Sequence, residues 1–176
     1  MKASAVDTTR RPGAAAERVE AVAAPPLALE IVWRGGVVVA LRLGRAEAAR
    51  LEAGATPEAR AVQAALARLA AGQPADFPPL PLAWETVPPF TRQVLHTLLA
   101  RVGHGETVTY GELARLAGHS GKARAVGQAM ARNPWPLVVP CHRVLGAGGG
   151  LTGYTNPHGL PLKELLLHME NGPARG

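Results

Sequence analysis

Cysteine is almost missing from this chain: Cys141 is the only one in 176 residues. A single thiol excludes an internal disulfide and any zinc site built from several cysteines, and it makes a reducing, cytoplasmic setting the natural one. No apolar run approaches the roughly 20 residues that span a bilayer, so no membrane partner is expected. The first 26 residues are alanine-rich but broken by Asp7, Arg10, Arg11, Glu17, Arg18 and Glu20. They lack the continuous apolar stretch of a secretion signal. Histidine is absent before position 96, and none of the six has metal-ligand spacing. No metal and no cofactor are expected. His96, His104, His119, His158 and His168 read as surface residues.

What is present describes a globular chain of one ordinary domain or two small ones, 47% hydrophobic. The formal charge of +6 fits a polyanionic partner as well as it fits an arginine-rich surface. Residues 1–26, ending in Pro25-Pro26, read as a disordered leader. Leu27–Trp33 and Val37–Leu43 are β-rich and flank Arg34-Gly35-Gly36, the pattern of a hairpin. A helix is predicted over 57–71, with Thr56 as N-cap, Pro57 first and Gly72 after its end. Residues 73–89 hold six prolines and read as a linker with one short strand at most. In domain terms, 27–79 forms an N-terminal scaffold, 80–89 a linker and 90–172 a C-terminal domain.

The second half carries the chemistry. A helix is predicted over 91–102, ended by Gly103-His104-Gly105. Thr109 and Glu112 have the spacing of a capping box, opening a short helix that stops at Gly118. After a glycine-containing turn, a second helix covers about 122–132. Two short helices across such a turn make a helix-turn-helix, and the outer face of the second shows Lys122, Arg124, Gln128 and Arg132. Those groups suit phosphates and base edges, although many helix pairs pack without touching DNA. Asn133-Pro134 stops the helix, and an asparagine there can bond its neighbours' backbone. The apolar run Leu137-Val138-Val139 then reads as a buried strand leading into Pro140-Cys141-His142-Arg143-Val144. By itself Cys141 reads either as a small buried hydrophobe or as a nucleophile that His142 helps to ionise. A last helix spans about 161–169. Glu170 after it reads alone as a solvated charge; folded back onto His142 it completes a Cys-His-Glu relay.

From Thr107 to Glu170 the chain resembles the O6-alkylguanine-DNA alkyltransferases. The matching pieces are Thr109-Tyr110-Gly111, the run Arg124 to Met130, Asn133-Pro134, Pro140 to Val144, Gly153-Tyr154, and Lys163-Glu164 with Leu165-Leu166. The resemblance implies an α+β fold: a small antiparallel sheet plus helix (RNase H-like), followed by a mainly helical, winged-helix-like domain. It implies a monomer whose partner is duplex DNA carrying O6-alkylguanine, and it leaves cooperative binding along DNA open. The implied reaction moves the alkyl group irreversibly to Cys141, once per molecule, after the base has been flipped out from the minor-groove side. His142, through a water, and Glu170 would favour the thiolate, and Asn133 would brace the hinge beside the active-site strand. Tyr110 would rotate the phosphate and Arg124 would fill the vacated stack. Lys122, Ala125, Gln128 and Ala129 would face DNA. Cys141, Val144 and Thr155 would read the guanine edge, with Met130, Pro136 and Tyr154 lining the pocket. The chain departs from the family pattern at Phe90-Thr91, Leu95 and Gly103-His104-Gly105, and in a longer loop at Thr155–His158. Alkyltransferase-like proteins that only bind the lesion carry tryptophan at the cysteine position, and Cys141 argues against that class. A plain helix-turn-helix regulator would leave Cys141 inert. A cysteine hydrolase would need an oxyanion hole that nothing in the sequence requires.

Overall fold

A computed structural model describes residues 16–151 and 159–171. Four strands form one antiparallel sheet in the order β3-β2-β1-β4: β1 Glu17–Ala24, β2 Leu27–Arg34, β3 Val37–Arg45 and β4 Arg50–Leu51. The β2–β3 hairpin turns at Gly35 and Gly36, with φ of 59° and 83°. Only glycine adopts that primed turn at little steric cost, and its twist matches the strands it joins. Helix α1, Pro57–Ala70, lays Val62, Leu66 and Leu69 on the core. Its cap is Thr56, whose hydroxyl accepts from Ala59 N at 3.2 Å.

β1 lies inside the segment expected to be a disordered leader, and residues 17–24 are a full strand instead. Alanine is a poor strand former, so propensity hides it. Eight residue pairs with β2 order it, and a buried carboxylate ties it down. Glu20 accepts from Thr56 N at 2.8 Å and from Thr56 Oγ1 at 2.9 Å, tying the strand to the cap of α1. Burial pushes the Glu20 carboxyl up, but these bonds and Arg18 outweigh it and hold it below its ordinary value.

The second half consists of α2 Pro89–Arg101, β5 Val108–Thr109, α3 Tyr110–Leu116, α4 Ala123–Ala131, β6 Val144–Leu145 and α5 Gly159–Asn171. The capping box at α3 is formed in both directions: Glu112 N donates to Thr109 Oγ1 and Thr109 N donates to Glu112 Oε2. Gly118 and Gly121, both left-handed, make the turn between α3 and α4. Gln93 on α2 holds that turn through Ala117 O at 3.0 Å and the His119 ring at 3.1 Å. One apolar core runs continuously from Val22 on β1 to Met169 on α5. No helix among the described residues is long and apolar enough to cross a membrane.

The run Leu137-Val138-Val139 is a turn, not the strand that its composition predicts. Leu137 has φ of 71°, a left-handed conformation that costs a branched residue about 1–2 kcal/mol. A strand cannot include it. The cysteine that follows opens a short 3₁₀ turn, Cys141–Arg143, which runs into β6. The proline-rich linker contributes one bridge, Leu82 beside Val38, and a 3₁₀ turn at Trp84–Thr86.

Candidate active site

Two structural devices bring the site together. β5 and β6 pair in parallel, Val108 against Val144 and Thr109 against Leu145. This sets Tyr110, the first residue of α3, beside the strand that leaves the cysteine turn. The second device is Asn133. Its Nδ2 donates to Val139 O at 2.8 Å and its Oδ1 accepts from Trp135 N at 3.0 Å, so one side chain closes the turn from both ends. Cys141 N then donates to Val139 O at 2.8 Å.

Cys141 is buried, at 7% exposure. Burial pushes its thiol above the ordinary value, against the Asn133 side chain and the Lys163 charge, which pull it down. At neutral pH the resting side chain is a thiol, not the thiolate that the resemblance implies. A base must therefore take its proton. His142, 1% exposed, is held below its ordinary value chiefly by burial, so it is neutral and able to accept one.

Glu170 fixes which nitrogen accepts. It is not the solvated terminal charge expected from its place in the sequence: it lies in the last turn of α5, with its side chain 2% exposed. Burial pushes it up, but His142 and Arg143 outweigh that and bring it down to about 2. It is thus an ionised carboxylate, which can only accept. His142 Nε2, 2.8 Å from Oε1, must then carry the proton. His142 Nδ1 is left with the lone pair, and it is a buried atom with no hydrogen-bond partner among the described residues.

Two residues of the site were not singled out by sequence reasoning. Arg143 grips the same carboxylate, with Nη2 at 2.8 Å and Nε at 3.0 Å, while its Nη1 donates to Val102 O at 2.8 Å. Lys163 is fully buried, donates from Nζ to Val144 O at 2.6 Å, and stands 5.9 Å from the centre of the Tyr110 ring. The signal for Lys163 was available. Lys163, Leu166 and Glu170 are spaced at three and four, so they share one face of α5, and that face is the apolar one.

The helix-turn-helix face carries a second cluster. A cavity of about 580 Å³ is bounded by Tyr110, Gly111, Arg124, Gly127, Gln128 and Ala147. Tyr110 connects it to the site, and its ring lies over Gly127 on α4, 3.9 Å from where a Cβ would stand, an ordinary contact distance. Cys141 does not line this cavity. Lys122, Arg124 and Gln128 are exposed and Ala125 is half-buried. Ala129 corrects the expectation that it faces DNA. It is 2% exposed, because it stands three residues after Val126 and one before Met130 and falls on the core face of α4. Met130 is buried at 5% and Pro136 half-buried. Both polar groups of the Val144 backbone are engaged, its N–H with Cys141 O and its carbonyl with Lys163. Tyr154 and Thr155 lie outside the described residues. Among the described residues no cluster of histidine, cysteine and carboxylates could hold a metal.

Comparison with known proteins places this geometry. Residues 89–172 match the family described as 6-O-methylguanine DNA methyltransferase, DNA binding domain. The methylated-DNA–protein-cysteine methyltransferase of Cricetulus griseus is 50% identical over 86 residues, 49% of this chain and 41% of that protein. The match spans half or less of the length of such curated relatives, 45% for the one from Methanosarcina acetivorans. Solved structures match over nearly the whole chain. A variant of Mycobacterium tuberculosis OGT is 33% identical, with 90% of this chain and 96% of that one covered and a TM-score of 0.71. The same protein in complex with DNA is 33% identical, covers 89% and 95%, and has a TM-score of 0.69. On that identity, carried over almost the full length of a solved relative, the chain belongs to the O6-methylguanine-DNA methyltransferase family.

Proposed function

We propose that this protein repairs alkylated guanine by direct reversal, moving the O6-alkyl group of a guanine in duplex DNA to Cys141 Sγ. The observation that carries the reading is the buried Cys141–His142–Glu170 sequence of groups, in which His142 Nδ1, a buried base with no hydrogen-bond partner among the described residues, belongs to the residue next to the only thiol.

The steps follow from the protonation states. His142 Nδ1 takes the thiol proton, directly or through one water, and Glu170 stabilises the imidazolium that forms. The sulfur then displaces guanine at the alkyl carbon. The C–S bond forms as the C–O bond breaks, and guanine leaves with the electron pair and receives a proton. Lys163 sits where its charge favours the sulfur anion. The carbon is shielded in the stacked duplex, so the base must leave the helix at a cost of a few kcal/mol. The exposed Arg124, on the cavity rim beside Tyr110, is suited to fill the gap, and small residues on α4 suit close approach to a minor groove. The product thioether has no ready leaving group, so each molecule acts once and needs no cofactor. The DNA complex of the tuberculosis relative supports DNA as the partner.

The test follows the DNA rather than the protein. Duplex oligonucleotide carrying O6-methylguanine is mixed with limiting protein, and restored guanine is counted. The expected yield is one guanine per protein molecule and then no more. Continued turnover, or no restored guanine at excess protein, would overturn the proposal.

A further inference from the structure

We infer that Trp135 is a positioning residue for the Cys141 nucleophile, and that through it the edge strand of the N-terminal sheet fixes where the sulfur sits. The inference deepens the transfer reaction proposed above and rests on it.

β3 is an outer strand of its sheet, so one edge of its backbone is free to pair elsewhere. Outward-facing groups on a regular strand recur every second residue. Val38 and Leu41 are three apart, yet both bond outward. Leu41 N donates to Pro134 O at 2.8 Å, Val38 N donates to Pro81 O at 2.8 Å, and Val38 O accepts from Ala83 N at 3.1 Å. A register shift makes this possible: Trp33 pairs with Val38 but Val32 pairs with Ala40, leaving Val39 as an extra residue. Bulges of this kind re-aim a strand, and they recur next to active sites.

The re-aimed edge holds the cysteine turn. Trp135 Nε1 donates to Val38 O at 3.0 Å, across 97 positions of sequence and fully buried. The ring is wedged as well: Trp84 meets it edge-on at 4.7 Å and is itself stacked on His96 of α2 at 3.8 Å. From Trp135 two further bonds reach the nucleophile, Val139 N to Trp135 O and Cys141 N to Val139 O, each 2.8 Å. Between them lies Leu137 in its left-handed conformation. Such a backbone persists only where its surroundings over-determine it. Asn133 closes the turn upon itself, whereas Trp135 and Leu41 N are what tie it to the sheet.

Trp135→Phe keeps an aromatic ring and removes the N–H donor. The expected result is retained folding and DNA affinity with a single-turnover transfer rate lower by about tenfold or more, because a small misplacement of a nucleophile is costly. The pH profile of Cys141 toward a small thiol reagent, taken without DNA, should move down as water reaches the sulfur. Leu66→Ala, a fully buried change in α1, is the control: it should cost stability and leave both readouts in place. Should Trp135→Phe fail to fold, benzothienylalanine at position 135 keeps the indole shape without the N–H and gives the same two readouts. Wild-type transfer with an unchanged rate and thiol profile in the variant would overturn the tether and leave the reaction standing. A wild type that takes up no alkyl group would overturn the reaction, and the thiol profile would still decide the tether.

Discussion

Replacing Glu170 by glutamine should damage stability and chemistry together, in amounts the structure sets. The carboxylate accepts from His142 Nε2, from Arg143 Nε and Nη2, and from Gly105 N at 3.3 Å. Its side chain is 2% exposed, so solvent screens little of this. Its pKa falls from 4.5 to about 2 in the folded protein. At roughly 1.36 kcal/mol per unit, that corresponds to about 3 kcal/mol of stability at neutral pH, in line with the cost of breaking a buried ion pair on one side. The sign follows from linkage. The folded value lies below the unfolded one, so the contribution is full above about pH 4.5 and is lost as pH falls toward 2. Burial also holds His142 below its ordinary value, so the unfolded chain takes up that proton first and acid destabilises the fold further. Glutamine offers one acceptor and turns an amide toward donors, so His142 loses the partner that holds its proton on Nε2. Transfer should slow by about 10²–10⁴, the usual worth of an oriented base. Urea unfolding from pH 7 down to pH 2, with single-turnover transfer alongside, measures both. A variant within about 0.5 kcal/mol of wild type at pH 7 would refute the argument, as would an unchanged rate. So would a stability gap that fails to narrow on acidification.

Other groups give separable outcomes. Lys163→Met removes a buried charge that favours the Cys141 anion, so the pH at which the thiol reacts with a small alkylating reagent should rise, and an unchanged profile would remove Lys163 from the account. Arg124→Ala should slow repair in duplex DNA while leaving alkyl transfer from the free modified base unaltered. Equal slowing of both would show that Arg124 serves the fold rather than base extrusion.

The sequence made some of this legible and hid the rest for physical reasons. Local chemistry read well. The hairpin at Gly35-Gly36, the Thr56 cap and the Thr109–Glu112 box each depend on residues within a few positions of one another, and each formed. Long-range partners did not read. Glu170 looks solvated until α5 packs against the cysteine turn, and Glu20 looks like a leader charge until Thr56 meets it across 36 residues. Apolar composition predicted a strand at 137–139, because a left-handed leucine has no signature in composition. Ala129 shows that small size does not tell which face of a helix a residue takes; the helical period does. The family's motif named Cys141 and His142, but the tautomer and the resting thiol came only from burial and from the neighbouring carboxylate.

Every step of the transfer depends on Cys141 sulfur being the acceptor. After incubation with duplex DNA carrying O6-methylguanine, the tryptic peptide from Asn133 to Arg143 should carry one methyl group, on Cys141, and the Cys141→Ser protein should carry none while still binding the duplex. An unmodified peptide at full repair, or a methyl group on any other residue, would contradict it.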